Sequence, residues 1–373
     1  MNILIISDLN PRTGWGRAAI GLSKWFIDNK FDVFFYPTHN SRAKVIDSIR
    51  PLAEWEFDTL RDTDFFQIII TFDLPDKWRN YRYAISVGYF FWESGSFPKN
   101  FVKQFENVDQ VWVPSDWQKR LILKYSKNSR VFKIPIPPHI KGMLGGASTV
   151  PSKVENDYVL WMGTLEPRKG LRLFLKEWSS YKKNGGSLSL KLKVSSNNVS
   201  HSPTDISETV KSLISSIHAF SFPQYSIEGI FHDLSEVEVS NLYMNARSIV
   251  GSSFGEGFGY VAADGILRNI PVFWPSNTAM SDWMPPSSEG AIDCYPYTSF
   301  LKNDQEIYQN PIWYPPREGG IESALWKSEY LTENESEGMS RVQNSNFYSY
   351  LESSEIAFAL KGINQRVKGK DKR

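Results

Sequence analysis

Residues 248–274 read SIVGSSFGEGFGYVAADGILRNIPVFW, and this stretch contains one complete alternation of strand and helix. An apolar run, Ser248–Gly251, is followed by a glycine-rich turn, a helical pattern over Gly259–Arg268 and a second apolar run, Pro271–Trp274. Short apolar runs separated by a helical pattern predict parallel strands joined by a crossover helix. The stretch therefore predicts an α/β fold built on a parallel sheet.

The same alternation continues in both directions along the chain. In the first half the predicted strands are Asn2–Ser7, Asp32–Tyr36, Gln67–Phe72, Ala84–Phe91, Gln110–Pro114 and Val131–Ile136, and the predicted helices are Arg17–Asn29, Lys99–Phe105 and Trp117–Ser126. In the second half the strands are Tyr158–Met162, Leu188–Val194 and Ile227–His232, and the helices are Leu171–Tyr181, Ile206–Ala219 and Ser235–Asn245. Two such series predict two doubly wound, Rossmann-like domains.

The domain boundary is predicted from composition. Residues 137–157 are rich in Pro, Gly and Ser and lack periodicity, so we place a linker at 141–157 between an N-terminal domain, 1–140, and a second domain, 158–346. Residues 276–346 contain Pro-Pro and Gly-Gly pairs and predict long loops. A C-terminal segment is expected over 347–373, with a helix near Phe347–Ile363 followed by a basic tail.

Composition limits the compartment and the partners. The chain has 373 residues and one cysteine, which permits no intramolecular disulfide and fits a reducing compartment. The N-terminus is typical of a first strand, and no apolar run is long enough to span a membrane, so a cytoplasmic location is expected. Residues 1–140 and 366–373 carry a surplus of Lys and Arg, which favours an anionic partner unless it is ordinary surface scatter.

The glycine-rich turn carries the strongest chemical pattern. Gly255, Gly257 and Gly259 allow backbone amides to approach a ligand, and the following helix N-terminus favours an anion such as a diphosphate. Glu256 and Asp264 stand eight positions apart and can aim two carboxylates at one pocket. A carboxylate suits sugar hydroxyls, which donate to it, better than phosphate. The alternative is that the acids only stabilise the helix dipole.

EGFGYVAAD at 256–264, with SSF before it and GILRNIPV after it, resembles the EGFG…E (E-x7-E) signature of the GT4 family of retaining glycosyltransferases. The resemblance implies a GT-B fold, in which two Rossmann-like domains face a central cleft and the C-terminal helix crosses back to the N-terminal domain. It also implies that Glu256 contacts the donor sugar and Asp264 the ribose hydroxyls. Asp264 stands where the family usually has Glu, so the shorter side chain puts the ribose contact in question.

A second block, LWMGTLEPRKGLRLFL at 160–175, is similar to the family's strand–turn–helix segment. Lys169 occupies the position of a phosphate-binding lysine. Thr164 stands where many members have Arg, and Arg168 can supply part of that charge. A cation beside the diphosphate stabilises the leaving group without a metal ion. Taken alone, PRKG is equally a basic turn before a helix; its pairing with the Glu256 block favours the site.

Two blocks of the first domain also resemble the family. GWGR at 14–17 is similar to its glycine loop beneath the donor phosphates; the spacing is not GxGxxG, which argues against NAD. Residues 87–122 resemble a stretch with a Trp-Glu pair. Many members have a donor-contacting histidine in this domain, but no histidine lies between His39 and His139. The candidate residues here are Gly14 and Gly16 for the donor, and Trp15, Arg17, Trp92 and Glu93 for the acceptor side.

The sequence thus predicts hexose transfer from a nucleoside diphosphate sugar such as UDP-glucose, with retention and without a metal. Glu256, Lys169 and Arg168 are the catalytic candidates, and the donor-binding candidates are Gly14, Gly16, Thr164, Gly255, Gly257, Phe258, Gly259 and Asp264. No cofactor is expected, since UDP- or GDP-sugar is a substrate. The five histidines are scattered and Cys294 is alone, so no metal site is expected.

The acceptor stays open at this point. KWRNYRY at 77–83 interleaves aromatic and cationic residues as nucleic-acid surfaces do, which allows a modified DNA base as acceptor. Among acceptors, lipid-linked glycans and polysaccharides are favoured as a group, and a protein acceptor is a further alternative. Asp264 also permits an inactive sugar-nucleotide-binding subunit. His232-Asp233 either lines a base pocket or lies in an ordinary loop. The oligomeric state is not predicted.

Overall fold

The structure, a computed structural model, describes residues 1–8, 13–38, 49–128, 130–135, 158–196, 201–217, 226–298, 307–361 and 363. The chain divides into two compact units. Among the described residues the first contains 1–92, 96–135 and 350–363, and the second contains 93–95 and 158–349. The predicted linker 141–157, the basic tail 366–373, His39 and His139 lie outside the described residues.

The first unit is built on a seven-stranded parallel sheet. Its strands are β1 Asn2–Ser7, β2 Asp32–Pro37, β3 Arg50–Pro51, β4 Ile68–Phe72, β5 Ile85–Tyr89, β6 Gln110–Val113 and β7 Val131–Lys133. They are ordered β3-β2-β1-β4-β5-β6-β7. Ile5 pairs with Phe35 on one side and Ile70 on the other. The central strands β4 and β5 are buried along their whole length because both faces of a doubly wound sheet are covered.

The helices of this unit are α1 Gly14–Asp28, α2 Glu54–Leu60, α3 Lys99–Gln104 and α4 Asp116–Tyr125. Ser115 caps α4, since its hydroxyl accepts from Gln118 N at 3.1 Å. The C-terminal residues complete the unit: Tyr350 donates its hydroxyl to Pro114 O at 2.5 Å, and Glu355 binds Lys119 Nζ at 2.6 Å.

The second unit repeats the arrangement. Its strands are β8 Tyr158–Thr164, β9 Ser189–Ser195, β10 Ile227–Ile230, β11 Ser248–Val250, β12 Val272–Pro275 and β13 Ala291–Ile292, in the order β10-β9-β8-β11-β12-β13. The helices between them are α5 Leu171–Lys183, α6 Pro203–Ile217, α7 Glu236–Met244 and α8 Tyr260–Ile266. This is the Rossmann strand order, so the prediction of two doubly wound units is confirmed.

Residues 276–346 differ from the prediction of long loops. They contain a two-stranded antiparallel pair, β14 Tyr297–Thr298 with β15 Ile312–Trp313, then α9 Gly320–Tyr330 and the start of α10 Glu333–Glu352. The start of α9 is held by the Glu177 carboxylate, which accepts from Gly319 N and Glu322 N. That contact is tertiary, which is why local composition did not reveal the helix.

The C-terminal helix predicted over Phe347–Ile363 is instead two pieces. It consists of the end of α10 and a separate helical run at 356–361. Ser353 donates its hydroxyl to Tyr350 O at 2.6 Å, and this side-chain bond competes with continuation of the helix. Within the described ranges, no helix combines the length and apolar character needed to cross a bilayer.

Candidate functional site

The candidate site lies in the second unit, where β8 and β11 end. Beyond β8 the chain makes a short 3-10 turn, Pro167–Lys169, and Gly170 then starts α5 with a left-handed φ of 69°. A side chain at Gly170 would clash with the carbonyl oxygen of Ser252. Glycine is therefore required here because the Lys169 turn packs directly on the chain that leaves β11.

Hydrogen bonds join these two turns. Phe254 N donates to Arg168 O at 2.7 Å, and the Ser252 hydroxyl donates to Lys169 O at 2.9 Å. Trp161 on β8 in turn donates its indole N–H to the Ser252 hydroxyl at 3.0 Å. The two blocks that the sequence singled out are thus fixed against each other through their backbones.

Lys169 and Glu256 form an ion pair at the centre of the site. Lys169 Nζ donates to both Glu256 carboxylate oxygens, at 2.7 and 2.9 Å. Burial by itself would raise the pKa of Glu256, but the charges of Lys169 and Arg168 outweigh it, and the pKa lies below its usual value. Glu256 is therefore ionised, and Lys169 keeps one further N–H for another acceptor.

Arg168 stands among two other carboxylates and one carbonyl. Its guanidinium lies 3.6 Å from Glu93 Oε1 and 2.9 Å from Glu166 Oε2, and it donates to Gly255 O at 3.3 Å. Glu93 also accepts the Tyr308 hydroxyl at 2.8 Å. Burial raises the pKa of Glu93 although Arg168 and the Tyr308 hydrogen bond act to lower it. The neutral form of this carboxyl is thus favoured more than in water.

The cluster therefore contains three carboxylates and two cations. Burial acts to lower the pKa of Arg168, but Glu93 in particular raises it, so the guanidinium stays charged. Burial raises the pKa of Tyr308 well above its usual value, which keeps its hydroxyl a donor to Glu93.

The remaining candidates of the second unit lie around this cluster. Thr164 is the last residue of β8, and its buried hydroxyl has no hydrogen-bond partner within the described chain. Gly255 and Gly257 are buried, and a side chain at Gly255 would clash with Glu93 O. Gly259 has a φ of 90° and precedes α8.

Two candidates lie deeper than expected. Phe258 is 2% exposed and its ring packs 4.9 Å from that of Tyr260, so its side chain belongs to the core. Asp264 is 6% exposed and lies on α8. The helix ends at Ile266 instead of the predicted Arg268, because Asn269 adopts a left-handed φ of 59°. His232-Asp233 lies in the loop that follows β10.

In the first unit the glycine segment differs from the prediction. Helix α1 begins at Gly14, so Gly14, Trp15 and Gly16 form its first turn and are not a loop. The Thr13 hydroxyl accepts from Gly16 N at 3.0 Å and caps the helix. Arg17 is half-buried on the same turn. The Trp15 ring packs edge-on against Phe91 at 5.3 Å.

Trp92 is a core residue of the first unit. It is 1% exposed, its indole donates to Ser96 O at 2.7 Å, and its ring packs against Phe97 and Phe101. Such a side chain offers no surface to an acceptor. Its neighbour Glu93, in contrast, belongs to the second unit and joins the Arg168 cluster.

Sequence reasoning missed four residues of the site. Glu166 and Tyr308 belong to the Arg168 cluster, and Asn277 and Thr278 bond to the backbones of Ser253 and Glu256. Glu166 lies within the quoted GTLEPRKG block, and its charge beside Arg168 was a usable signal. The other three lie in the stretch without periodicity, where nothing in the sequence marked them. Among the described residues, no group of three or more His, Cys, Asp or Glu side chains is arranged to hold a metal ion.

Comparison with known proteins places this geometry in a fold class. No protein-family model and no curated protein sequence matches the chain. Solved structures do match over full length. A sucrose-phosphate synthase from Thermosynechococcus elongatus matches with a TM-score of 0.66 at 12% identity, covering 100% of both chains.

Two further structures agree. A glycosyltransferase from Rickettsia africae gives a TM-score of 0.61 at 14% identity, covering 99% of this chain and 98% of the other. An E. coli trehalose-6-phosphate protein with bound UDP-2-fluoro glucose gives 0.62 at 10% identity, covering 99% of both. At these identities the likeness concerns the fold. The chain has the GT-B fold, with two Rossmann-like units, as predicted.

Proposed function

We propose that this protein is a glycosyltransferase that moves a hexose from a nucleoside diphosphate sugar to an acceptor, with retention and without a metal ion. The observation that carries the proposal is the contact of Lys169 with Glu256 at the carboxyl ends of β8 and β11. Ligands of doubly wound sheets bind at this edge. The similar structures include proteins described as glycosyltransferases and one with a bound UDP-sugar analogue, which supports the same activity.

The ion pair suits a donor that carries both a sugar and a diphosphate. Sugar hydroxyls can donate to the Glu256 carboxylate, and a phosphate oxygen can accept from Lys169. Lys169 can donate its third N–H to a phosphate oxygen while its two bonds to Glu256 remain, so neither charge is left unpaired in a buried site. Lys169 and Arg168 would stabilise the charge that develops on the departing diphosphate.

The Arg168 cluster bears on how a dianionic group is accepted. With Glu93, Glu166 and Glu256 all ionised, the carboxylates outnumber the cations. The raised pKa of Glu93 favours its protonation, and protonation of Glu93 would remove one negative charge from the cluster as the phosphates enter. In this proposal Tyr308 and Glu93 adjust the charge of the site, and Lys169 with Glu256 binds the donor.

Nucleotide binding tests the proposal directly. Calorimetry with UDP, GDP, ADP and dTDP should show at least one diphosphate binding more tightly than its monophosphate. Lys169→Ala should weaken that binding by about 1.5–3 kcal/mol, the range of a charge-assisted hydrogen bond. Lys176→Ala is the matched control, because Lys176 carries the same charge in an exposed pair with Glu318 on the same unit. Failure of all four diphosphates to bind would refute the proposal.

Turnover separates an enzyme from an inactive sugar-nucleotide-binding subunit. Incubation with UDP-glucose and GDP-glucose should release the diphosphate slowly even without acceptor, and Glu256→Gln should abolish the release while the protein still folds. A protein that binds diphosphate but releases none from any sugar nucleotide would instead be the binding subunit.

For the acceptor we propose an anionic lipid-linked glycan or polysaccharide, handled in the cytoplasm. The nucleic-acid alternative relied on KWRNYRY, but Trp78 is 5% exposed and Tyr81 is 6% exposed, and both pack in the first unit's core. Only Tyr83 of its three aromatic residues is exposed, which leaves little surface for base stacking. Transfer to glucosylatable DNA in a direct assay would restore that alternative.

A further inference from the structure

The loop after β12 contains a strained, buried residue. Thr278 has a φ of 45°, in the left-handed region that β-branched residues rarely adopt, and it is 2% exposed. A conformation of this kind persists only where the surrounding contacts require it, and it is common at functional sites. The contacts of Thr278 therefore identify what the strain maintains.

Those contacts converge on the backbone of Glu256. The Thr278 hydroxyl accepts from Glu256 N at 2.8 Å and donates to Glu256 O at 2.9 Å. Asn277 Oδ1, at 3.1 Å, is a more distant acceptor for the single hydroxyl proton. Ala279 N also approaches Glu256 O, at 3.3 Å. One side chain thus satisfies both backbone groups of Glu256.

Asn277 bonds to Ser253, at the other end of the segment 253–256. Its side-chain amide donates to Ser253 O and to Tyr314 O, both at 2.8 Å, so each N–H has an acceptor. Residues 253–256 belong to no helix or strand. The backbone of Phe254 bonds to Arg168 O and Tyr314 N, whereas the backbone N–H of Glu256 donates to the Thr278 side chain. The backbone at Glu256 therefore depends on a side chain from the neighbouring loop.

We infer that Thr278, supported by Asn277, is a positioning residue that sets the backbone from which the Glu256 carboxylate reaches Lys169. Its role in glycosyl transfer rests on the function proposed above, whereas its hydrogen bonds to the Glu256 backbone do not. Thr278 acts through Glu256 and needs no contact with the donor. Because a carboxylate that binds a reacting sugar must be placed within a fraction of an ångström, loss of the hydroxyl should reduce turnover.

Three substitutions separate the hydroxyl from the strain. Thr278→Val keeps the shape and the β-branch and removes only the hydroxyl. Thr278→Ser keeps the hydroxyl without the β-branch. Thr278→Gly removes the hydroxyl and also relieves the left-handed strain, so it provides a second hydroxyl-free variant in case Val does not fold. Thr209→Val is the matched control, since Thr209 is an exposed residue of α6 whose hydroxyl donates to Asp205 O.

Two measurements are combined. Carbon NMR titration of the glutamate carboxyls, with the Glu256 resonance identified by its loss in Glu256→Gln, follows the pKa of Glu256 without any donor. Thr278→Val and Thr278→Gly should raise that pKa towards its ordinary value, and Thr278→Ser should restore it. With UDP-glucose, kcat of hydrolysis should fall roughly tenfold or more in Val and Gly, while UDP affinity changes much less.

The outcomes discriminate clearly. A Glu256 pKa unchanged in both Val and Gly would overturn the inference, and so would a Ser variant as impaired as Val. If the wild-type protein neither binds UDP nor hydrolyses UDP-glucose, the proposed function fails for that donor, and the NMR titration alone decides the positioning role. Thr209→Val should leave both readouts at their wild-type values.

Discussion

The amine of Lys169 is bonded to both carboxylate oxygens of Glu256, at 2.7 and 2.9 Å, although 86 residues separate the two in the chain. Their side chains are only 18% and 9% exposed, so water could not fully hydrate either charge if its partner were removed. Removal of one therefore leaves a charge with poor solvation, and single substitutions of either residue report on both.

A double-mutant cycle should reveal this coupling in stability. Lys169→Met and Glu256→Gln should each lower the free energy of unfolding at neutral pH, and the double variant should lose less than their sum, with a coupling of about 1–3 kcal/mol. Urea denaturation followed by circular dichroism measures the cycle. The exposed pair Lys176–Glu318, taken through the same substitutions, should show little or no coupling. Additive losses at Lys169 and Glu256 would mean that the pair is not formed in solution.

The two buried carboxyls should respond to pH in opposite directions. The pKa of Glu256 is lowered in the folded protein, so its stabilising contribution is present above the usual value of 4.5 and is lost as the pH falls through the folded pKa. The pKa of Glu93 is raised, so its contribution is present below 4.5 and is lost as the pH rises through the folded pKa.

Denaturation at a series of pH values tests this for each carboxyl. Glu256→Gln should reduce the loss of stability that occurs as the pH falls below 4.5. Glu93→Gln should reduce the loss of stability that occurs as the pH rises above 4.5. Equal slopes in wild type and both variants would show that neither pKa is shifted by folding.

Gly170 should tolerate a side chain far less well than another left-handed glycine. Gly170→Ala combines an unfavourable φ with a clash against Ser252 O, whereas Gly185, with a φ of 97°, has open space around it. Gly185→Ala should cost about 1–2 kcal/mol, the conformational penalty alone. Gly170→Ala should cost more, and it should also weaken UDP binding because it displaces the Lys169 turn. Equal melting temperatures for the two variants would contradict the packing described for Gly170.

Transfer or hydrolysis should not require a divalent ion. In the proposed mechanism, Lys169 and Arg168 supply the positive charge that a metal supplies to the diphosphate in other enzymes. Diphosphate release from UDP-glucose should persist in EDTA, measured against the same sample with added Mn²⁺ or Mg²⁺. Activity that disappears with EDTA and returns with Mn²⁺ would show that the cations of the site are insufficient.

The fold was largely predictable because most of its strands and helices follow from local patterns of apolar and polar residues. The predicted strands at 2–7 and 158–162, for example, depend only on neighbouring residues. Helix α9 was missed because its start is stabilised by Glu177, which lies on another helix. Likewise, Trp92 and Phe258 were predicted at the site but lie in the core, since a sequence does not show whether an aromatic side chain faces inwards or outwards.

The sequence by itself determined the two α/β repeats, because periodicity is local, and its resemblance to a known family marked Lys169 and Glu256 as candidates. Only the tertiary structure decided that these two side chains meet, that Glu93, Glu166 and Tyr308 surround Arg168, and that Asn277 and Thr278 hold the Glu256 turn. The physical reason is that parallel strands bring distant loops to one edge of the sheet, and the charge and burial of a residue there depend on neighbours that the chain order does not reveal.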